Sequence, residues 1–480
     1  MVSEQQERED KFDVDLGFVV PQLDDLLPEG GRIVTPATRQ LENTYYDTAE
    51  SDLQQLQLTL RRRVGGPDAG WHLKLPAGPA RTEIHSGSRA RTVPKGLAAP
   101  LLGVTRGQEL APIATISTTR DVIQLLDASG SLLAEVADDQ VRSSTLGAEA
   151  TLRSWREVEV ELGPAGDEEL LGIIGDRLVE WGARRSASVS KLRQALGDVE
   201  ESTPDVTTVG GVVAVYLATQ VTQIFRCDLG LRLGRPVVHP TRVAVRRLRS
   251  TLRVFADVFD PDQAAALEGE LVWFAGLLGE VRDREVLSER LLGQVAELPP
   301  EFVLGPVAAH IESVLHQEQT RHLQRALDAM RGDRYLALLD ALHHWRVDPP
   351  YTEAAQQPAD GLKRYVKKAE RKLFRRLATA GGDVEALHSA RKAGKRFRYA
   401  AELSEPALGK KAAKSIEHGK ALQELLGEHQ DSVVSATFLR SQGAAAGVDP
   451  GQNGFTYGIL LAMEWQRAAD IRRRLEERFG

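Results

Sequence analysis

Carboxylates and cations at alternate positions are the first feature of this chain that could do chemistry. Glu7, Glu9 and Lys11 stand two apart, as do Glu157, Glu159 and Glu161 in WREVEVEL. Alternate residues of a β-strand share a face, so each set would show its charges on one side while Val158, Val160 and Leu162 take the other. Arg61 and Arg63 follow the apolar LQLTL, and His72 and Lys74 alternate with Trp71, Leu73 and Leu75. Arg81 shares a face with Glu83, and Glu135 with Asp139. Any one such strand reads as part of a sheet with a solvated outer face, because exposed charges are common. Several strands alternating carboxylate-rich and Arg/Lys-rich faces suggest more. A sheet closed on itself would gather them into a hydrophilic tunnel. Arg meets phosphate oxygens with paired hydrogen bonds and Lys meets them as a point charge. Grouped glutamates suit Mg²⁺ or Mn²⁺, which prefer oxygen ligands. A polyanion accompanied by a divalent metal needs both kinds of wall.

A second set of charges has helical spacing. His239, Arg242, Arg246 and Arg249 lie at i, i+3, i+7 and i+10, and His388, Arg391, Lys395 and Arg398 repeat the pattern. On a helix each set forms one cationic stripe. Pro240 suits a first helical turn, which puts His239 at or near the N-cap. LLGEVRD (277–283) and LLGEHQD (425–431) follow the two stripes. The offset between copies is 149 residues for the stripes and 148 for the LLGE segments, so a duplicated helical bundle is the direct reading. Arg226, Lys363, Arg364, Lys367 and Lys368 could widen the basic surface, the last four within the run GLKRYVKKAERKLFRR.

The surrounding elements differ between the halves. Up to about 195 the chain carries short alternating segments broken by Gly and Pro, read as an antiparallel sheet or barrel with two helices near 20–27 and 167–182. The polar stretch at 198–211 reads as a linker, dividing the chain into 1–197 and 212–480. From 212 the apolar period is helical, and eight or more helices with no strands are expected. The 480 residues suffice for two or three cores. A net charge of −7 hides an asymmetry: residues 1–200 carry 22 basic and 32 acidic groups, and residues 201–480 carry 39 and 36. Overall sign therefore argues against a general nucleic-acid coat, and the scarcity of aromatics on the basic stripes argues against stacking of single strands. The single cysteine, Cys227, excludes an internal disulfide and fits a reducing cytoplasm. The charged opening residues do not read as a signal peptide, and no apolar run is long enough to span a membrane.

Glu7-x-Glu9-x-Lys11, followed in order by LRRR, LKLP, RTE, the Asp138-Asp139 pair and EVEVEL, resembles the CYTH, or triphosphate tunnel metalloenzyme, superfamily over about residues 5–195. The resemblance implies a closed antiparallel tunnel barrel that hydrolyses or cyclises triphosphate substrates with a divalent metal. By position, Glu7, Glu9, Glu159 and Glu161 would hold Mg²⁺ or Mn²⁺. Arg61, Arg63, Lys74, Arg81, Arg120 and Lys191 would clamp phosphates. Lys11, Glu83 and Asp139 would complete the catalytic set, Lys11 on the phosphates and the two carboxylates orienting basic groups or water. The triple Glu157, Glu159, Glu161 leaves the register open, and the last pair is favoured because it directly precedes Leu162-Gly163. Arg62, between the two clamp arginines, departs from the apolar residue usual there.

Residues 212–475 are similar to CHAD, the conserved-histidine α-helical domain, on both His-x-x-Arg stripes and both LLGE-x-x-D segments. That implies two pseudo-symmetric four-helix bundles binding inorganic polyphosphate through His239, Arg242, Arg246, Arg249, His388, Arg391, Lys395 and Arg398. The expected whole is an α+β multidomain protein, a tunnel barrel followed by an all-α domain. Its expected function is metal-dependent hydrolysis of inorganic triphosphate or a nucleoside triphosphate, joined to polyphosphate binding. Alternatives are a non-catalytic polyphosphate adaptor at polyphosphate granules and an adenylate cyclase using the same tunnel.

Overall fold

The computed structural model describes residues 2–77, 80–147, 150–188, 190–197, 205–447 and 453–479, with the side chain of Glu7 outside the described set. The chain divides into two compact units, Met1–Ser202 and Thr203–Gly480.

The first unit is built on one antiparallel sheet. Its strands are β1 (Val2–Glu7), β2 (Glu9–Val14), β3 (Arg32–Val34), β4 (Arg39–Asp47), β5 (Thr59–Val64), β6 (Gly70–Ala77), β7 (Ala80–Ser86), β8 (Ala111–Leu126), β9 (Leu132–Thr145), β10 (Leu152–Leu162) and β11 (Arg184–Arg185). The order is β1-β7-β6-β5-β4-β8-β9-β10-β2-β11, with β3 beside β8. β1 and β2 are separated by Arg8 alone, yet β1 pairs with β7 and β2 with β10. The pairings therefore run round from one half of the N-terminal segment back to its other half, and the sheet curls into a tunnel wall.

Alternation sets the two faces. Phe12, Val14, Val136, Val158 and Val160 point outward, where Ile174 and Leu178 of helix α3 (Glu168–Glu180, after the short α1 and α2) cover them. Asp167 caps α3 by accepting from the Leu170 amide at 2.9 Å. α1 (Asp52–Gln55), α2 (Lys95–Thr105) and α4 (Lys191–Leu196) were not foreseen. In α2, Gly96, Pro100 and Gly103 mask a helix that tertiary packing keeps, with Leu97, Leu101 and Val104 buried.

The second unit is helical: α5 (Val209–Arg232), α6 (Val238–Val254), α7 (Pro261–Glu297), α8 (Val307–Ala329), α9 (Asp333–Val347), α10 (Leu362–Ala378), α11 (Val384–Leu408), α12 (Lys410–Ala446) and α13 (Phe455–Phe479). Thr208, inside the stretch read as linker, caps α5 through the Gly211 amide at 3.1 Å. α5 to α8 form one run of packed neighbours and α10 to α13 another; α9 packs against α5, and α6 packs against α11. The repeat is visible in length as well: α7 and α12, which carry the LLGE segments, each have 37 residues. His239 lies within the first turn of α6 rather than at its cap, which is Val237.

Candidate functional site

The tunnel gathers its charges by strand register. Lys11 lies opposite Glu159, Glu9 opposite Glu161, Glu161 opposite Glu135, Glu157 opposite Asp139, Arg120 opposite Asp139, and Lys74 opposite Glu83. The carboxylates of β2, β9 and β10 thus form one acidic wall, and β5, β6 and β7 supply a basic one.

At one level of the tunnel, acids and bases neutralise each other. The Lys191 ammonium, carried in by α4, lies 2.9 Å from Asp139, 2.5 Å from Glu157 and 2.7 Å from Glu159. Glu159 also meets Lys11 Nζ at 2.7 Å and the Arg120 guanidinium at 2.6 Å, while Arg120 holds Asp139 through two hydrogen bonds of 2.8 and 2.6 Å. Asp139 is fully buried, so these partners are required to keep it charged. Burial alone would raise the Glu159 carboxyl, but Lys11, Lys191 and Arg120 hold it well below its ordinary range. The same carboxylates push the buried Lys191 ammonium upward. Asp139, Glu157 and Glu159 lie close enough together to hold a metal ion. Lys191 already fills that position, which makes the trio a salt-bridge hub.

One level along, the cations stand farther from the carboxylates. Glu9 and Glu161 face each other across β2 and β10, and Glu135 follows on β9. Among the described residues, buried Glu9 Oε1 has no hydrogen-bond partner; burial would raise the Glu9 carboxyl, but Lys11 at 3.5 Å, Lys74 and Arg81 at 3.9 Å hold it below its ordinary range. Burial raises the Glu161 carboxyl to about 7; Lys74 offsets this in part, and Glu9, Glu159 and Glu135 add to it. Like charges opposed on neighbouring strands are destabilising, and a divalent cation with oxygen ligands would relieve them. Glu9 and Glu161 therefore fit the metal assignment. Glu159 sits beside them with its oxygens committed to three cations. Glu135, which accepts from Gln124 at 3.0 Å, joins the row; finding it needed the β9–β10 register.

On the basic wall Glu83 is the organiser. It lies 3.0 Å from His72 Nδ1, 3.5 Å from Arg61 and 3.9 Å from Lys74. Arg63 turns aside instead, donating to Asn43 at 3.0 Å and pairing with Asp68. Arg62 donates to the backbone carbonyl of Ala90 at 3.1 Å, outside the tunnel set.

In the helical unit, α6, α7, α11 and α12 line a half-open cavity of about 720 Å³. His239, Arg242, Arg246, Arg249, His388, Arg391 and Lys395 all line it. Arg398 does not: it pairs with Glu402 at 3.2 Å and lies over the Tyr399 ring. The cause is a break in the repeat, since Glu402 stands where the first copy has Arg253. Sequence reading missed Arg282 and Arg290 on the cavity wall, and it gave no role to the aspartates of the LLGE segments. Arg242 meets Asp283 at 3.2 Å and Arg391 meets Asp431 at 3.6 Å, so stripe and LLGE segment are contact partners in each copy. The glycine of the first LLGE has a steric reason: a Cβ at Gly279 would lie 2.9 Å from the Arg242 guanidinium. Ten Arg and Lys side chains line the cavity against two aspartates. Burial, then Arg246, Arg391 and Arg242, lower the Lys395 ammonium to about 7. Burial and neighbouring arginines or lysines also lower both cavity histidines.

Comparison with known proteins agrees with this division. The CYTH domain family matches residues 6–194 and the CHAD domain family residues 215–440. Two chains of Mycobacterium tuberculosis, the uncharacterized proteins MT2285 and Rv2226, are each 36% identical over 495 aligned residues, covering 98% of this chain and 95% of theirs. Among solved structures, PptA from Streptomyces chartreusis (23% identity, TM-score 0.48) covers 56% of this chain and 99% of its own. The CHAD domain of the plant Ricinus communis (25% identity, TM-score 0.45) covers 56% and 92%. HpAC1 from Hippeastrum, with a dominant triphosphatase activity, is 17% identical at a TM-score of 0.25 and covers 41% and 98%. With both domains matched in order, and with relatives this similar along nearly their whole length, the chain belongs to the CYTH–CHAD family.

Proposed function

We propose that the tunnel hydrolyses a terminal phosphoanhydride of inorganic triphosphate or a nucleoside triphosphate with a divalent metal, Mg²⁺ or Mn²⁺, and that the helical cavity binds polyphosphate. The observation that carries the reading is the opposed pair Glu9 and Glu161, with one Glu9 oxygen unbonded among the described residues and the Glu161 carboxyl raised to about 7, set in the same tunnel as Arg61, Lys74 and Arg81. Glu9 and Glu161 would hold the ion, whose chemistry is charge neutralisation on phosphate oxygens. Arg61, Lys74 and Arg81 bind and orient the phosphates, and Glu83 orients Arg61 and Lys74. Lys11, Arg120 and Lys191 keep Asp139, Glu157 and Glu159 from repelling the substrate. Phosphoryl transfer asks mainly for such positioning and charge stabilisation. The cavity offers a polyanion many charge-assisted donors without needing a metal.

The test is a substrate panel of tripolyphosphate, long polyphosphate and ATP with each metal. Orthophosphate and a chain shortened by one unit are expected. Cyclic AMP with pyrophosphate from ATP would instead identify a cyclase. One observation favours a second reading, a non-catalytic adaptor associated with polyphosphate granules in the cytoplasm: three cations already occupy Glu159. Polyphosphate binding with no phosphate release under either metal would select it.

A further inference from the structure

Helix α10 has a charge balance unlike its neighbours. Its 17 residues, LKRYVKKAERKLFRRLA, hold eight Arg and Lys against one acidic residue, Glu370. Leu362, Tyr365, Val366, Ala369, Leu373 and Leu377 anchor the buried face, while Lys367, Lys368, Arg371, Lys372 and Arg375 are exposed. None of those five has an ion-pair partner among the described residues. Elsewhere in the domain, surface arginines find carboxylates close by, such as Arg284 with Glu280 and Glu318, or Arg334 with Glu270. Like charges four apart on a helix are unfavourable, so α10 keeps an arrangement that its own stability does not explain.

The row is continuous with the cavity. Lys368, Lys372 and Arg376 stand four apart, on one face of α10. Arg376 donates to the Ser389 carbonyl at 3.0 Å, one residue past the cavity histidine His388. The ammonium of Lys372, exposed for the most part, is held below its ordinary range by slight burial, then by Arg376 and the cavity-wall residue Arg396.

We propose that the exposed basic face of α10 is a second binding surface for linear polyphosphate, continuing the cavity so that the domain holds chains longer than the cavity accommodates. The proposal rests on the reading of the cavity as a polyphosphate site and extends it to a chain-length preference. At 17 residues α10 is about 25 Å long, enough to track several further phosphates. Its backbone is already a formed helix, so a chain leaving the cavity meets a prearranged row of charges.

The experiment measures binding of long and short linear polyphosphate to the full chain, over a range of salt and with divalent metal chelated to prevent turnover. Two variants are compared with the parent: Lys368→Glu with Lys372→Glu on α10, and Arg391→Glu with Lys395→Glu in the cavity. The neutral change Lys368→Gln with Lys372→Gln guards against a folding artefact and should fall between the parent and the reversal. For the long chain, the α10 reversal should cost about tenfold or more in affinity and flatten the salt dependence by about two phosphate contacts. For the short chain it should bind like the parent, while the cavity variant loses affinity for both. Parental affinity and salt slope for the long chain in the α10 variant, beside clear loss in the cavity variant, would overturn the α10 proposal alone. Parental binding in the cavity variant would overturn the reading on which it rests. Single-stranded RNA that binds the parent as tightly as polyphosphate would overturn the assignment of ligand class.

Discussion

On the reading of the cavity as a polyphosphate site, Lys395 makes binding a function of pH in a range that is easily measured. It lies among Arg246 and Arg242 of α6 and Arg391 of its own helix, with Asp431 of α12 as the facing carboxylate. Burial and those arginines bring its ammonium down from 10.5 to about 7. In the empty cavity it is therefore mostly charged at pH 6 and mostly neutral at pH 9. A bound polyanion favours the charged form and draws the group back towards its ordinary range. Binding then takes up close to one proton above pH 7, and linkage weakens affinity by up to tenfold per pH unit. Between pH 6 and pH 9 the fall should approach about 100-fold, since the free site goes from about nine-tenths protonated to about one-hundredth. Stability runs the other way: the unfolded chain binds a proton between about 7 and 10.5 that the folded domain lacks, so this group's contribution to stability rises with pH across that window. Lys395→Arg keeps the charge and removes the titration. Its affinity should change little from pH 7 to 9, matching Arg246 in the other copy. The assay is a binding isotherm with long polyphosphate at constant ionic strength, metal chelated. Equal pH slopes for the parent and Lys395→Arg above pH 7 would refute the argument.

Two further outcomes follow from the same contacts. Lys191→Met should leave Asp139, Glu157 and Glu159 short of a buried cation, at a cost of roughly 3–5 kcal/mol at neutral pH. Faster hydrogen exchange along β9 and β10 would report it. Because Asp139 and Glu159 are held below their ordinary range, that deficit should shrink as pH falls through the carboxylate range. Arg242→Glu with Arg246→Glu should weaken polyphosphate binding by about two tenfold steps, as should Arg391→Glu with Lys395→Glu. A loss confined to one copy, read in the same binding isotherm, would contradict a ligand shared across the repeat.

What the sequence disclosed follows from what repeats in it. Alternation at Glu157–Glu161 and Trp71–Leu75 marks both the strands and their charged faces, because one face packs apolar side chains and the other turns charged ones into the tunnel. The 149-residue offset marks the duplicated bundle, because helices that pack alike need matching positions. Pairwise facts were harder to see. Glu135 beside Glu161 depends on register, and Lys191 among three carboxylates depends on where α4 closes against the sheet. The resemblance to CHAD placed Arg398 with the other stripe residues, but Glu402 and Tyr399 draw it away from the cavity, a competition that spacing alone does not reveal. The aspartates of the LLGE segments were visible as a repeat without a purpose until their contacts with Arg242 and Arg391 supplied one.

The central claim is that the carboxylate row at Glu9 and Glu161 serves metal-dependent hydrolysis. The most direct test is the rate of orthophosphate release from tripolyphosphate by the full chain, with Mg²⁺ or Mn²⁺, before and after chelation, in the parent and in Glu9→Gln. The account predicts release that stops on chelation and falls about 100-fold in the variant, with the variant still folded. Release that survives chelation, or a Glu9→Gln variant that turns over like the parent, would contradict it.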